Sequence, residues 1–280
     1  MFFNDRICEM FLGAWRTYTS ILYDANEAVS DPSSTATPRS VMDRVPEIAR
    51  LIFAHVSSDT LFDHAGLNKW FFETCFPKAE WEFERDWQRR AVGGKWYRFD
   101  NVIIADRRSG HMGGGVSKPM DLAFKLPVPE RWLTDLKDRI LANYAGPVSI
   151  VDPSHMLSRP VITYISRQTA AHRRLKGEIH EQLVAELQTL EQDRIAEVHI
   201  EEFTDADSKD EQVAKLSRTT ILIGLHGNGL TNLIWMTPDP RGRSTVYEIQ
   251  QKGLFIDDYA VLSEALGIKH WIIGGRTDSE

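Results

Sequence analysis

The second half of the chain alternates short apolar runs with longer amphipathic runs, and this alternation restricts the possible folds more than any other feature. The apolar runs have the length of strands and read RPVITYISR, AEVHIEEF, TTILIGLHG, STVYEI and KHWIIGG. Between them lie stretches with helical spacing, at about 173–193, 208–218, 228–236 and 257–266. Strands that alternate with helices of this length predict a parallel sheet covered on both faces. The predicted fold class is therefore α/β.

The first half is less regular but follows the same logic. Its pattern predicts a helix over 2–24, strands at 49–56, 79–87 and 96–106, and helices at 59–74 and 127–146. The helix at 127–146 closes this half, which predicts two domains, residues 1–145 and 146–280. Since only Met1 precedes the apolar Phe2, the first helix has neither a cap nor a preceding strand. We therefore expect the chain to begin inside an element, with an N-terminally incomplete first domain.

Charge and composition exclude several kinds of partner. Lys and Arg total 33 against 40 Asp and Glu, and the net charge of -7 offers no general field for nucleic acid. No apolar run approaches the roughly 18 residues of a membrane span, and the opening MFFNDRICEMFLGAW carries charges where a signal peptide is apolar. Cys8 and Cys75 are too few for a disulfide framework, although a single bridge stays open. An anionic ligand would need a local cluster of arginines.

The stretch ILIGLHGNGLTNLIWM, residues 221–236, is the most informative of the chain. An apolar strand runs into His226 and the Gly227-Asn228-Gly229 turn, and a helix then begins. Glycines allow a positive φ and a close approach of a ligand to the backbone, while a helix start offers N–H groups and a positive dipole end. The turn predicts a diphosphate site; a plain tight turn, with His226 as a structural residue, is the alternative interpretation.

Two further strand ends carry polar side chains to the same place. Ser166 and Arg167 end one strand, and because parallel strands bring their carboxyl ends to one edge, they should lie near the 226–232 turn. Guanidinium groups suit phosphate oxygens, and one of Arg173 and Arg174 should face this edge while the other is solvated. At the end of the next strand, Glu248 could accept hydrogen bonds from ribose hydroxyls.

These residues resemble the motifs of glycosyltransferase family 61. The resemblance rests on HGNGLTN with Pro238 and Glu248, preceded by YISR, RRL and the EQV of residues 211–213, and it covers about residues 155–275. The family includes protein O-linked N-acetylglucosaminyltransferases and xylan xylosyl- and arabinosyltransferases. Its pattern usually has Ala at the place of Asn228 and Asn at the place of Gly177, so contacts to the donor could differ here.

The resemblance implies a GT-B architecture, in which two Rossmann-like domains face a cleft. It implies inverting transfer of a sugar, GlcNAc or a pentose such as xylose, from a UDP-sugar to a hydroxyl of a glycan or glycoprotein. It also implies the lumen of the Golgi or endoplasmic reticulum, with a membrane contact only through a missing N-terminal anchor. The donor-binding residues would be Ser166, Arg167, Arg174, His226, Gly227, Asn228, Gly229, Leu230, Thr231, Asn232 and Glu248. No metal or other cofactor is expected, since no Asp–x–Asp pair follows a strand and DAD at 205–207 lies in a polar loop.

An inverting transfer needs a base for the proton of the acceptor hydroxyl. The family often has a His near the start of its first domain, and FFNDRICE offers Asp5 there instead, so Asp5 is the candidate catalytic base. Asp106 and His111 are alternatives, and Asp5 could equally be an acidic residue that favours a helix start. The alternative function is a nucleotide-sugar-binding relic without turnover. A dinucleotide oxidoreductase is disfavoured, because the first βα turn lacks the glycine fingerprint.

Overall fold

The computed structural model divides the chain into two compact units, Phe2–Leu136 and Lys137–Glu280. It describes residues 6–27, 48–59, 67–105, 126–128, 132–144, 159–170, 173–204, 207–236, 239, 241–253 and 255–275. Within these ranges, no helix is long and apolar enough to cross a bilayer. The predicted domain boundary after residue 145 stays a prediction.

The first unit places helices around a short pair of strands. Its elements are α1 (Arg6–Glu27), β1 (Arg50–Phe53), α2 (Leu67–Cys75), β2 (Glu80–Phe83) and α3 (Glu84–Val92), and α4 (Thr134–Tyr144) begins at its end. β1 and β2 pair in parallel, with Arg50 opposite Glu80. The core is aromatic, because Phe11 of α1 meets the ring edges of Phe71 and Phe72 at 5.6 and 5.1 Å. Cys75 is a buried thiol that forms no disulfide.

Two of the predicted strands in this unit are wrong in whole or in part. The strand predicted over 79–87 ends at Phe83, because the Asp86 carboxylate accepts the Phe83 N–H at 3.0 Å and starts a helix with an acidic first turn and a basic last turn. The strand predicted over 96–106 is irregular and exposed through residue 105. Two of its aromatic residues lie instead near Arg90, whose guanidinium carbon is 4.4 Å from the ring centre of Tyr97 and 5.9 Å from that of Phe99.

The second unit contains a five-stranded parallel sheet, as the alternating pattern predicts. Its strands are β3 (Val161–Ile165), β4 (Glu197–Glu201), β5 (Ile221–Leu225), β6 (Thr245–Gln251) and β7 (Lys269–Gly275). The connecting helices are α5 (Gly177–Gln192), α6 (Lys209–Ser217), a 3-10 helix (Asn228–Trp235) and α7 (Asp258–Ala265). The spatial order β4-β3-β5-β6-β7 is that of a doubly wound sheet, and chain order reverses between β3 and β5.

The cover of this sheet differs from the prediction. On one face, α5 covers β3 and β4 but leaves an apolar cavity of about 320 Å³ beside the neighbouring strands. Trp271 and Ile273 of β7 project to this face and are 58% and 46% exposed. Among the described residues, this face of the sheet is therefore covered only in part.

Candidate active site

The switch in strand order determines where a ligand can reach this sheet. Where two neighbouring parallel strands send their following connections to opposite faces, a crevice forms at their carboxyl ends. Here the two strands are β3 and β5. β3 is followed by Ser166 and Arg167, and β5 by His226 and Gly227. The topology thus brings together the two segments that the sequence had singled out.

At this edge the guanidinium of Arg167 lies directly over the glycine turn. Gly227 has φ 148° and ψ 175°, a conformation that side chains rarely adopt. A Cβ on residue 227 would fall 2.1 Å from Arg167 Nη1 and 3.7 Å from Arg173 Nη1. The absence of a side chain at Gly227 is therefore what admits the Arg167 guanidinium, whereas Arg173 lies at an ordinary contact distance. Arg173 itself has a left-handed backbone with φ 55°, as is common where a functional site holds the chain in a strained conformation.

The electrostatics of Arg167 favour an anionic ligand. Burial, together with the charge of Arg173, lowers the pKa of the Arg167 guanidinium, and Tyr259 acts in the opposite direction. In the part of the chain that the structure describes, the buried Nε of Arg167 has no hydrogen-bond acceptor. A partly buried cation beside a second cation is unfavourable unless an anion compensates it. Phosphate oxygens match both the charge and the fork of donors.

The helix after the turn is a 3-10 helix, and its first residues differ in role from the later ones. Leu230 donates its N–H to the Gly227 carbonyl at 2.9 Å and closes the turn. The N–H group of Gly229 precedes this bond and belongs to those that a helix start leaves for a ligand. Gly229 also permits close packing, because a Cβ there would lie 3.1 Å from Ile165 Cγ2.

The remaining residues of the predicted donor loop pack beneath the glycine turn. The Leu230 side chain is buried beneath Gly224, and Thr231 is also buried. Asn232 accepts a hydrogen bond from Trp235 Nε1 at 3.0 Å and contacts Gln212 of α6. These three side chains are buried within the unit, and their predicted contacts with the donor stay a prediction.

Ser166 and Arg174 were also predicted to bind the donor beside Arg167. Ser166 is buried, its N–H donates to the Glu201 carbonyl at 2.7 Å, and its hydroxyl accepts the Gln168 N–H. Arg173 and Arg174 are both exposed, and the Arg173 guanidinium lies near Gly227. The contact of Arg174 with a donor stays a prediction. The positive φ of Arg173 has no signal in the residue pattern.

Glu248 is also engaged differently from the prediction. Its side chain has no exposed surface, and one carboxylate oxygen accepts a hydrogen bond from His226 Nδ1 at 2.5 Å. The other oxygen lies 2.9 Å from His270 Nε2, in an ion-pair contact less well aligned than a hydrogen bond. The predicted ribose contact would need an accessible carboxylate. His270 was missed because only the register of β7 brings it here.

The predicted catalytic base and its alternatives lie outside the described residues. Asp5, Asp106 and His111 fall outside the described residues, as does the DA of the 205–207 loop. Among the described residues there is no group of three or more His, Cys, Asp or Glu side chains arranged to hold a metal ion.

The fold and the site together define an α/β protein with a cationic turn at the switch point of a doubly wound sheet. The model of the family described as Glycosyltransferase 61 matches residues 34–242. This is about three quarters of the chain, so the chain belongs to glycosyltransferase family 61 and is a glycosyltransferase. The match reaches well into the first unit, where the motifs were vague, and ends before Glu248. A comparison with curated proteins gives no match.

Membership in this family has direct consequences for partners. A glycosyltransferase takes a nucleotide-sugar donor and a glycan or protein acceptor, and the members of this family are in general enzymes of the secretory pathway. The donor sugar, the acceptor and the stereochemical course are separate questions.

Proposed function

We propose that the chain is an inverting glycosyltransferase that transfers GlcNAc or a pentose such as xylose from a UDP-sugar to a hydroxyl of a protein or glycan. The observation that carries the proposal is the pair of guanidinium groups, Arg167 and Arg173, directed at the Gly227 turn between the ends of β3 and β5. In the described part of the chain, neither arginine has a carboxylate partner. A donor diphosphate is the anion that this enzyme class must bind there.

In this proposal, the residues at the turn stabilise the leaving group. In a single displacement the acceptor oxygen attacks the anomeric carbon, the bond from that carbon to the diphosphate oxygen breaks, and its electron pair leaves with UDP. Arg167 and Arg173 sit where the additional negative charge develops, and preorganised cations of this kind stabilise it without reorganisation. The N–H group of Gly229 adds a donor to the same diphosphate.

The proton of the acceptor hydroxyl goes to a base, and Asp5 stays the proposed candidate, with Asp106 and His111 as alternatives. A GT-B arrangement and a place in the Golgi or endoplasmic reticulum lumen belong to the same proposal. The doubly wound sheet of the second unit and the family membership support them. We propose no metal, because two arginines and a helix start supply positive charge to the diphosphate.

Calorimetric titration of the full chain with UDP, UMP, uridine and a panel of UDP-sugars tests the proposal. UDP should bind more tightly than UMP, and UMP more tightly than uridine, because each phosphate adds contacts to the cationic turn. Proton NMR of the reaction with the best-bound donor should show a product of inverted anomeric configuration. Equal affinity for UDP and uridine would contradict the diphosphate site, and a retained configuration would contradict the inverting course. Selective UDP binding without transfer or donor hydrolysis would favour the binding-only alternative.

A further inference from the structure

Three side chains on neighbouring strands meet beneath the glycine turn. His226 follows the last residue of β5, Glu248 lies in β6 and His270 in β7. The register pairs Gly224 with Glu248 and Val246 with His270, so that all three side chains project to the same face. This is the face that carries α7, since the Tyr259 ring packs against His226 with 5.6 Å between ring centres.

Each oxygen of the carboxylate at the centre of this cluster faces one of the two histidines. Glu248 Oε1 is 2.5 Å from His226 Nδ1, and Oε2 is 2.9 Å from His270 Nε2. The side chain of Glu248 is 0% exposed, that of His270 8% and that of His226 16%. Exposure therefore increases from the fully buried carboxylate of Glu248 to His226, which reaches the surface at the turn.

The charge of Glu248 determines what the histidines present to it. Burial raises the pKa of this carboxyl, but the contacts from His226 and His270 outweigh burial and hold the pKa below its ordinary value. An ionised carboxylate only accepts hydrogen bonds. His226 must then carry a proton on Nδ1, which leaves Nε2 as the polar atom of its ring that faces away from the carboxylate.

We infer that Glu248 is a positioning residue for His226 rather than a ribose contact. Its carboxylate fixes the Nδ1–H form and the orientation of the His226 ring, so that Nε2 is presented at the Gly227 turn, and His270 holds the other carboxylate oxygen. The inference rests on the proposed function, because the ligand of Nε2 is the donor diphosphate. A carboxylate behind a histidine fixes its tautomer and orientation in the same way in metal and hydrolase sites.

This arrangement gives His226 a defined part in the transfer. Protonated on Nε2 as well, the ring donates a hydrogen bond to a diphosphate oxygen and adds a positive charge beside Arg167. The negative charge of Glu248 stabilises that cation. No proton needs to move to the leaving UDP, since the electron pair of the broken bond stays on its oxygen. The charged groups that face His226 are Glu248 from β6, His270 from β7 and Arg167 with Arg173 at the turn, together with the titratable Tyr259 of α7.

The wild-type chain itself supplies the first test. Nitrogen-15 NMR of labelled histidine distinguishes a protonated Nδ1 from a bare one. The inference expects His226 to carry the Nδ1 proton in the free chain, with the Nε2 signal shifting when UDP is added. A His226 with an unprotonated Nδ1 at neutral pH would overturn the inference without the need for any variant.

The second test compares Glu248→Gln with Glu197→Gln in the full chain. Glu197 is a matched control, because its carboxylate also holds a histidine, His199 Nε2 at 2.9 Å, but on the edge strand β4. Removal of a group that orients a functional histidine typically costs about 10- to 100-fold. Glu248→Gln should thus lower the affinity for UDP by about tenfold or more and leave the affinity for uridine nearly unchanged. Glu197→Gln should change neither affinity.

The outcomes separate this inference from the proposed function. Loss of uridine and UDP affinity to the same extent in Glu248→Gln would make Glu248 a ribose contact and overturn the inference, as would unchanged affinity for both. Wild-type chain that binds UDP no more tightly than uridine would overturn the proposed function and the inference with it. Circular dichroism shows whether each variant is folded, and the NMR test decides if Glu248→Gln is not.

Discussion

Arg167 and Gly227 form one unit, because the guanidinium of the first occupies the place where a side chain on the second would stand. The Cβ position at residue 227 lies only 2.1 Å from Arg167 Nη1. Arg167 follows β3 and Gly227 follows β5, so the contact spans the switch point of the sheet. The cationic turn is thus a consequence of the topology as well as of the residues.

Gly227→Ala should disable the turn through this contact. The new Cβ would displace the Arg167 guanidinium, and the positive φ would add strain, so we expect UDP to lose the about 1.5 to 3 kcal/mol of a charge-assisted hydrogen bond. Gly242→Ala is the matched control, since Gly242 also has a positive φ, 68°, but no heavy atom within 4 Å of its Cβ position. Calorimetry and thermal unfolding should show lower stability in both variants and weaker UDP binding in Gly227→Ala alone. Weaker UDP binding in both would trace the effect to backbone strain.

Glu248 predicts a specific dependence of stability on pH. Its folded-state pKa lies below the ordinary value because of His226 and His270, despite burial. A lowered carboxyl pKa stabilises the fold above the unfolded-state value, about 4.3, and this contribution disappears as the pH falls through the folded-state pKa. The difference in unfolding free energy between the wild type and Glu248→Gln should shrink as the pH falls from about 6 to below about 4. Urea titrations across that range measure it, and a difference that grew on acidification would contradict the assignment.

In the first unit, Glu82 should be important for stability rather than for donor binding. Its side chain is 8% exposed and bonds Arg90 Nε at 2.8 Å as well as Arg50, so that these arginines lower its pKa against the effect of burial. Glu82→Gln should cost about 1 to 3 kcal/mol by leaving guanidinium donors unpaired. Glu73→Gln, which removes only an exposed pair with Lys69 at 3.7 Å, is the control and should cost less than about 0.5 kcal/mol.

Removal of divalent metal should leave donor binding intact. If Arg167, Arg173 and the start of the 3-10 helix supply the positive charge, a chelator will not change the UDP affinity measured by calorimetry. A large loss that manganese restores, and that magnesium or calcium restores less well, would require a metal in the donor site.

The second sheet was predictable from sequence because its strands are buried. β3 is buried at every position, so its apolar run is continuous, and α6 begins with a capping box in which Ser208 Oγ accepts the Glu211 N–H at 3.2 Å. Such signals are local, and the predicted strands and helices of this half are confirmed. The exposed 96–105 segment has an equally apolar pattern, with Trp96 98% and Ile104 84% exposed. Its failure as a strand shows that pattern alone does not supply a partner strand.

The part of the site that lies at the carboxyl ends of the strands was predictable from the sequence. The order of the strands brings Arg167 and Gly227 together, as the rule for parallel sheets predicts. The role of Glu248 was not accessible in this way. A strand end places its carboxylate near the edge, but whether that carboxylate faces solvent or two histidines depends on the register of β6 against β7. His270 lies at the opposite end of its strand from the edge where the sequence argument looked.

Arg167→Ala, titrated with UDP and uridine in the same buffer, tests the central claim most directly. The matched control is Arg159→Ala, which removes an exposed arginine just before β3, at the opposite end of the strand that Arg167 follows. We expect Arg167→Ala to weaken UDP binding by about 1.5 to 3 kcal/mol, the loss of a charge-assisted hydrogen bond. The affinity for uridine should be unaffected, and Arg159→Ala should bind both ligands like the wild type. Equal loss of UDP and uridine in Arg167→Ala, or equal loss of UDP in both variants, would contradict a diphosphate site at the Gly227 turn.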